Sequence, residues 1–222
     1  MKIKMLVASA LVITFFACLF GAEKYAASKI VSNIEQAMPK AKGLSASIPI
    51  TEIPIDFTSN TIKSVDIKIG NYFLKGANTD VSLAIAANDI SKSKPTLIGS
   101  LDVMATIPAS KILKSAGFND AKIVGDALQV SVGSGGFGQA LLIPKYSNNR
   151  LFFELKGISL FGNEIPASAL PADIQDQIKK KSIHNLSVPA ELKVKSVSLN
   201  AKGLLVNLRG DNVELGKLGT SL

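Results

Sequence analysis

The sequence has 222 residues, 47% of them hydrophobic, and its 25 Lys and Arg against 17 Asp and Glu give a formal net charge of +8. This length and apolar content are sufficient for one large domain with a hydrophobic core. The positive charge favours an acidic partner such as an anionic membrane surface. The thinly spread basic residues are not interleaved with aromatic residues, so we expect no nucleic-acid binding.

The N-terminal segment is apolar and follows two cations. Lys2 and Lys4 precede residues 5–22, which contain no charged residue. This pattern predicts an export signal or a membrane anchor, with the rest of the chain outside the cytoplasmic membrane. A small-x-small cleavage site is missing because Phe20 stands third before a cut after Ala22, which favours a retained anchor. We therefore predict a signal peptide or anchor over residues 1–22 and a single domain over residues 23–222.

Cys18 is the only cysteine, and it lies inside the apolar segment. The surrounding sequence FFAC is a poor match to a bacterial lipoprotein cleavage box, so an apolar filler is favoured over a lipidated cysteine. In either case the exported part has no disulfide and no cysteine nucleophile. The predicted domain must therefore rely on its hydrophobic core.

Residues 23–38 place apolar side chains at helical spacing, and Pro39 ends the pattern. This amphipathic helix either continues the anchor as a stalk or folds back against the domain, and its apolar stripe favours the second arrangement. Two later segments also have helical character, residues 108–118 and residues 168–181.

After Gly43 the apolar residues alternate with polar ones, which is typical of strands with one buried face. Turn residues fall between the apolar runs at Gly70-Asn71, Asn119-Asp120, Gly125-Asp126 and 147–149, which favours antiparallel hairpins. We therefore predict an α+β fold in which a long, curled antiparallel sheet of about eight strands wraps around the amphipathic helix.

The predicted strands outnumber the helices available to cover them. A cavity lined by aliphatic side chains would use that excess and would suit an acyl chain, whereas a sheet packed on its helices without a void is the alternative. The predicted lining residues are Val65, Ile67, Val81, Leu83, Ile85, Leu101, Val103, Val130, Val132, Phe153, Val197, Leu199, Leu204, Val206 and Leu208.

Lys179, Lys180 and Lys181 form the one compact basic run in the chain. At the end of the predicted helix over residues 168–181 they either complement the helix dipole or contact phosphate headgroups.

Motifs for catalysis are weak. Residues 133–138, GSGGFG, satisfy a dinucleotide-binding spacing, but the following residues are broken by a Pro and cannot begin the required helix. His184 is the only histidine, and it belongs to no nucleophile or metal-ligand pattern. We therefore expect no enzymatic activity, no cofactor and no metal site.

The final hairpin changes its apolar phase. Leu192 and Val194 are in one phase, and Val197 and Leu199 are in the other. An extra residue is needed between them, which predicts a β-bulge at Lys195 and Ser196 that bends the strand. Gly210 is expected to repeat this device before Val213.

Two segments resemble the LmeA-like phospholipid-binding family of envelope proteins in actinobacteria and some other bacteria. They are PIDFTSNTIKSVDIKI, residues 54–69, and the more specific LSVPAELKVKSVSLNAKGLLVNLRGDNVEL, residues 186–215. The chain departs from the family at Asn60 and Thr61, where a Gly is common. The resemblance, over residues 27–215, implies a fold similar to tubular lipid-binding domains and phospholipid binding that supports membrane glycolipid assembly. It implies no catalytic residues.

The combined expectation is a non-enzymatic envelope protein, anchored to the cytoplasmic membrane or exported from it. Its partners would be an anionic phospholipid or membrane glycolipid, the membrane surface and an envelope-assembly enzyme. It would bind acyl chains and present or transfer the lipid for envelope assembly. The alternative is a membrane-anchored structural or scaffolding protein with the same fold and no cavity.

Overall fold

The protein is mostly antiparallel β-sheet. The computed structural model describes residues 31–32, 35, 41–48, 60–74, 79–93, 95–115, 121–132, 138–160, 163–169, 172, 176, 184–185 and 188–214. Its twelve strands are β1 (Lys42–Ser47), β2 (Thr61–Leu74), β3 (Thr79–Ser91), β4 (Leu97–Pro108), β5 (Lys122–Val124), β6 (Ala127–Val132), β7 (Gly138–Ser147), β8 (Arg150–Leu160), β9 (Asn163–Pro166), β10 (His184–Asn185), β11 (Lys193–Asn200) and β12 (Gly203–Glu214). A short helix spans Ala109–Ser115, and a 3₁₀ turn spans Ala167–Ala169.

The strands form two sheets of six. The order in the first is β1-β2-β3-β4-β12-β11, and the order in the second is β10-β8-β7-β6-β5, with β9 also paired to β8. The predicted dominance of antiparallel sheet is confirmed, but the described strands are divided between two sheets instead of forming one. Val31, Ser32 and Glu35 are helical, in agreement with the predicted N-terminal helix. The predicted wrapping of a sheet around that helix remains a prediction.

The chain divides into two compact units. Within the described part of the chain, the first unit comprises residues 31–105, 188–195 and 207–214, and the second unit comprises residues 106–185 and 196–206. The strands β4, β11 and β12 contribute residues to both units. A single domain over residues 23–222 remains a prediction.

The predicted turn at Gly70-Asn71 is wrong, because both residues lie inside β2. The pairing of β2 with β3 jumps there from Ile69↔Leu83 to Tyr72↔Val81, so two residues of β2 oppose one residue of β3. This is a β-bulge. A Cβ added at Gly70 would lie 3.3 Å from the carbonyl oxygen of Lys42, so the neighbouring strand β1 would have to shift by a few tenths of an ångström to admit a larger residue.

Other turns and the first short helix agree with the sequence. Gly125-Asp126 and Asn148-Asn149 connect hairpins, and both asparagines have positive φ angles of 51° and 57°. The helix predicted over residues 108–118 is present at Ala109–Ser115. Asn119-Asp120 and most of the segment 168–181 lie outside the described residues. Within that segment, Ala172 and Asp176 are described and are helical.

The strand β7 was not predicted because Pro144 interrupts it. Proline has no N–H group for a sheet ladder and is therefore confined to sheet edges and bulges. The pairing of β6 with β7 ends at Leu128↔Leu142, whereas β7 continues beside β8 as far as Ser147↔Arg150. Pro144 thus lies where these registers give β7 a neighbour on one side, and there the missing donor does not break the sheet.

The predicted phase change in β11 is confirmed by burial. Leu192 is buried, Lys195 and Ser196 are both exposed, and Leu199 is buried again. In β12 the corresponding change follows Gly210, since Asp211 and Asn212 are both exposed before the buried Val213. Asn212 has a positive φ of 53°, which is typical of a bulged strand.

Candidate functional site

The predicted lining residues are divided between the two units. In the first unit Val65, Ile67, Val81, Leu83, Ile85, Leu101, Val103 and Leu208 are buried. In the second unit Val130, Phe153, Leu199, Leu204 and Val206 are buried and Val197 is half-buried. The side chain of Val132 lies outside the described residues. The described members of the predicted set are therefore buried or half-buried, and they are divided between two units.

The first unit contains a continuous aliphatic surface on one side of three neighbouring strands. Residues that share this side directly oppose one another, as in Ile67↔Ile85 and Ile69↔Leu83. We call this surface the β2–β4 aliphatic face, and it consists of Val65, Ile67, Ile69, Val81, Leu83, Ile85, Ala87, Leu101, Val103 and Ala105, all at most 4% exposed. Each of these side chains is nonpolar and non-aromatic, so the face offers no hydrogen bond to whatever packs on it.

The β2–β4 aliphatic face ends at a charged pair. Alternate residues of a strand share a face, so Lys63 follows Val65 along β2 and Asp89 follows Ala87 along β3. The Nζ atom of Lys63 lies 3.4 Å from Oδ1 of Asp89. Both side chains are largely accessible, at 49% and 63% exposure. The step from Val65 to Lys63 therefore changes the face from buried aliphatic to exposed ionic.

A glycine makes room for this ion pair on the third strand. A Cβ added at Gly99 of β4 would lie 2.9 Å from the Cβ of Asp89, closer than real side chains approach. Asp89 itself has a positive φ of 51°, which is uncommon for a residue other than glycine. The arrangement was missed by sequence reasoning because the two charges are brought together only by the β2–β3 register.

Beyond this point the opposite side of the same strands becomes buried. Ile62 opposes Ile90, and Ile90 and Ile98 are at most 1% exposed. A row of polar residues across the strands separates these isoleucines from the exposed Asp66. Asn88 belongs to this row, and its Nδ2 donates a hydrogen bond to Oγ of Ser100 over 3.1 Å. A signal for this exchange exists in the sequence, since the apolar positions change from odd to even numbers in each of the three strands.

The other charged residues of β2, β3 and β4 lie on the side opposite to the aliphatic face. Asp66 and Lys68 are exposed, and Arg209 contacts Asp102 at 3.5 Å and Asp211 at 3.1 Å. These are solvent-exposed pairs that contribute little to stability. Within the described residues there is no group of three side chains that could hold a metal ion.

The second unit has a buried face of a different composition. Leu128 opposes Leu142, and Val130 opposes Ala140, as on an aliphatic sheet. Pro144 and Phe153 then oppose each other, so this face includes a ring pair near the end of β7. Tyr146 follows, and its hydroxyl donates to Oδ1 of Asn149 over 2.9 Å. Partial burial raises the pKa of the Tyr146 hydroxyl by disfavouring its anionic form.

The pairing of β7 with β8 contains one irregularity. Leu141 opposes Gly157, whereas the next residue, Leu142, opposes Leu155, so Lys156 is the extra residue. Its Nζ atom lies 3.6 Å from Oδ1 of Asp126. A bulge here turns the side chain of Lys156 to the exposed side of β8.

Several predicted features lie outside the described residues. They include the apolar segment 5–22, the cations Lys179, Lys180 and Lys181, and most of the glycine-rich segment 133–138, of which Gly138 begins β7. In the described part of the chain, no helix combines the length and apolarity needed to cross a membrane. His184 lies in β10 and opposes Leu151, but its side chain is not described.

Comparisons of the chain with protein-family models, with curated proteins and with solved structures find no match. The resemblance to the LmeA-like family therefore remains a hypothesis that rests on the two sequence segments quoted above.

Proposed function

We propose that the protein is a non-enzymatic lipid-binding protein that holds acyl chains of a phospholipid or membrane glycolipid outside the cytoplasmic membrane. The β2–β4 aliphatic face is the observation that supports this proposal most directly. It combines Val, Ile, Leu and Ala on three adjacent strands, with the charged residues of those strands placed at its end or on the opposite side. Such a surface suits a ligand that needs burial and no hydrogen bonds.

The energetics of acyl-chain binding fit a surface of this kind. Each methylene group removed from water contributes about 0.8 kcal/mol, so a chain of ordinary length gains most of its affinity from contact alone. A polar group within the face would have to be desolvated without a partner, at a cost of about 1–3 kcal/mol. The uniform aliphatic composition of the face avoids that cost.

The finer architecture is part of the same proposal. A sheet that curls around the helix of residues 23–38 would leave room for a lipid between helix and sheet. The bulge at Gly70-Asn71 supports curvature, because a bulge increases the local twist and bends its strand. A membrane anchor at residues 1–22 would keep the site close to its lipid source. There the protein would present or transfer the lipid to an envelope-assembly enzyme.

The second candidate is a membrane-anchored scaffold whose sheet faces are fully packed. The near-complete burial of Val65 and Leu101 by the protein's own atoms favours this alternative. In that case the same aliphatic residues form a solid core, and the protein would hold a partner at the membrane without binding lipid.

Substitution of Val103 by Trp distinguishes the two candidates. In a lipid-holding sheet the indole fills ligand space, so retained lipid should fall at least about tenfold while the melting temperature changes little. In a solid core the same change overpacks the interior and should cost about 1–3 kcal/mol or more of unfolding free energy. The measurements are native mass spectrometry of the full-length protein purified in detergent and thermal unfolding of the same sample.

Met104→Trp is the matched control, because Met104 is the next residue of β4 and is 40% exposed on the opposite side. It should change neither retained lipid nor stability by much. If the wild-type protein retains no lipid and takes up none from phospholipid liposomes, lipid binding is excluded and the scaffold remains.

A further inference from the structure

We infer that the Lys63–Asp89 ion pair binds a lipid headgroup that carries both a phosphate and a primary ammonium, as phosphoethanolamine does. This inference rests on the proposed function, because the acyl chains of the same lipid lie along the β2–β4 aliphatic face. The phosphate accepts hydrogen bonds from the Lys63 ammonium, and the headgroup ammonium donates hydrogen bonds to the Asp89 carboxylate.

The position of the pair is the first reason. Lys63 and Asp89 share a side with Val65 and Ala87, which are the adjacent members of the aliphatic face. Val65 and Ala87 are at most 1% exposed, whereas the two charged side chains are about half exposed or more. The strands therefore pass from a buried apolar side to an accessible polar one over a single step of two residues, which is the order of surroundings that a ligand held partly in the interior and partly in solvent requires.

The local backbone is the second reason. Asp89 holds a left-handed conformation with φ of 51°, and a side chain at position 99 would collide with it. Left-handed conformations of residues other than glycine carry a free-energy cost and are concentrated at functional sites. Asp89 and Gly99 thus hold the ion pair at the point where the buried side of these strands changes.

The charges of the pair select the headgroup. A headgroup that is only anionic would bring its phosphate to Lys63 and also next to the Asp89 carboxylate, which lies 3.4 Å from the same ammonium. A quaternary ammonium has no N–H group to donate to a carboxylate, whereas a primary ammonium has three. The combination of one cation and one anion therefore favours phosphoethanolamine over phosphoglycerol and phosphocholine headgroups.

Competition between two lipids tests this assignment. The full-length protein in detergent is given equimolar excesses of dioleoyl phosphatidylethanolamine and dioleoyl phosphatidylglycerol, and native mass spectrometry counts each bound species. The wild-type protein should prefer phosphatidylethanolamine. Asp89→Asn should shift the ratio of the two lipids towards phosphatidylglycerol by about fivefold, the upper range for an exposed charge pair. Asparagine has the size of aspartate and tolerates positive φ, so the fold is preserved.

Lys63→Met should lower the binding of both lipids by about fivefold, because both phosphates lose the same cation, and Lys63→Arg should restore most of it. Two variants are matched controls. Lys68→Met removes an exposed cation from the opposite side of β2, and Lys145→Met breaks a pair with Glu154 that is similarly exposed. Neither control should change the ratio of bound lipids. Soluble phosphoethanolamine, which has no acyl chains, should not displace bound lipid.

The outcomes separate the two proposals. If lipid binds but Asp89→Asn leaves the ratio unchanged, or if the wild-type protein prefers phosphatidylglycerol, the headgroup assignment is wrong and acyl-chain binding stands. If soluble phosphoethanolamine displaces the lipid, the ion pair recognises the free compound and the lipid headgroup assignment is also wrong. If neither lipid binds to the wild-type protein, both the headgroup assignment and the proposed function are overturned.

Discussion

The two units change the buried side of their strands in different ways. In the first unit the change crosses β2, β3 and β4 together. Buried positions pass from Ala87 to Ile90 in β3 and from Leu101 to Ile98 in β4, and Val65 of β2 is followed by the half-buried Ile62. The pairs Ile62↔Ile90 and Ser64↔Asn88 keep one register. In the second unit β8 gains a residue at Lys156, and its partner β7 keeps its buried residues in one phase through Pro144. A change shared by neighbouring strands exchanges the faces of a whole sheet, whereas a single bulge redirects one strand.

The difference between the two units affects which of them could bind an amphipathic ligand. The exchange in the first unit places an ion pair at the end of an aliphatic face, because Lys63 and Asp89 continue a side that is no longer buried. The bulge in the second unit moves Lys156 to the exposed side of β8 and leaves the aliphatic and aromatic interior unbroken. The first unit is therefore the better candidate for an amphipathic ligand.

Gly203→Ala should have the largest effect on stability of the changes considered, and it acts on the second unit. A Cβ at this position would lie 1.9 Å from the carbonyl oxygen of Ile107, and the φ angle is +142°. We expect a loss of about 3 kcal/mol or more, because both the backbone conformation and the neighbouring carbonyl must change. Chemical denaturation monitored by circular dichroism measures the loss.

Gly125→Ala is the control for Gly203→Ala. Its φ of +61° is also positive, but no atom lies within 4 Å of the added Cβ. It should cost about 1 kcal/mol, from the backbone conformation alone. Equal losses in the two variants would show that the close approach to Ile107 is unimportant.

Alanine substitution of one glycine in each unit tests whether the two units differ in stability and in lipid binding. At Gly157 an added Cβ would lie 2.9 Å from the backbone carbonyl of Ile165, and at Gly99 it would lie 2.9 Å from the Cβ of Asp89. Both alanine variants should lose about 1–3 kcal/mol, with the larger loss at Gly157 because a paired backbone cannot move aside as a surface residue can. Only Gly99→Ala should also alter the ratio of bound lipids, as measured by native mass spectrometry.

The smallest expected effect is the alkaline titration of Tyr146. Burial raises the pKa of its hydroxyl in the folded protein above the unfolded value. The neutral phenol is therefore favoured by folding, and its contribution to stability is complete below the unfolded pKa of about 10 and is lost as the pH rises through the folded pKa. Tyr146→Phe should weaken the fall in unfolding free energy above pH of about 10. If the pH profile of Tyr146→Phe equals that of the wild-type protein, other groups cause the fall in unfolding free energy.

Much of the fold follows from local sequence. Alternation within β2, β3 and β4 identified residues such as Ile67, Leu83 and Val103, because a strand with one buried side must place apolar residues at every second position. Gly125-Asp126 and the Asn148-Asn149 pair were also evident, since these residues tolerate the positive φ angles of tight turns. The phase change at Lys195 and Ser196 was evident from the alternation of apolar residues in β11.

The division of the strands into two sheets was decided by the tertiary structure, as were the roles of Gly70-Asn71 and Pro144. A Gly-Asn pair suits both a turn and a bulge, and only the pairing of β2 with β3 selects the bulge. A proline is tolerated in β7 only because the registers leave one side of that strand locally unpaired. Lys63 and Asp89 are 26 residues apart, and a one-residue difference in register would have turned one charge to the other side of the sheet. The sequence by itself determined which side of each strand is apolar, whereas the neighbours of those strands depend on pairings between distant segments.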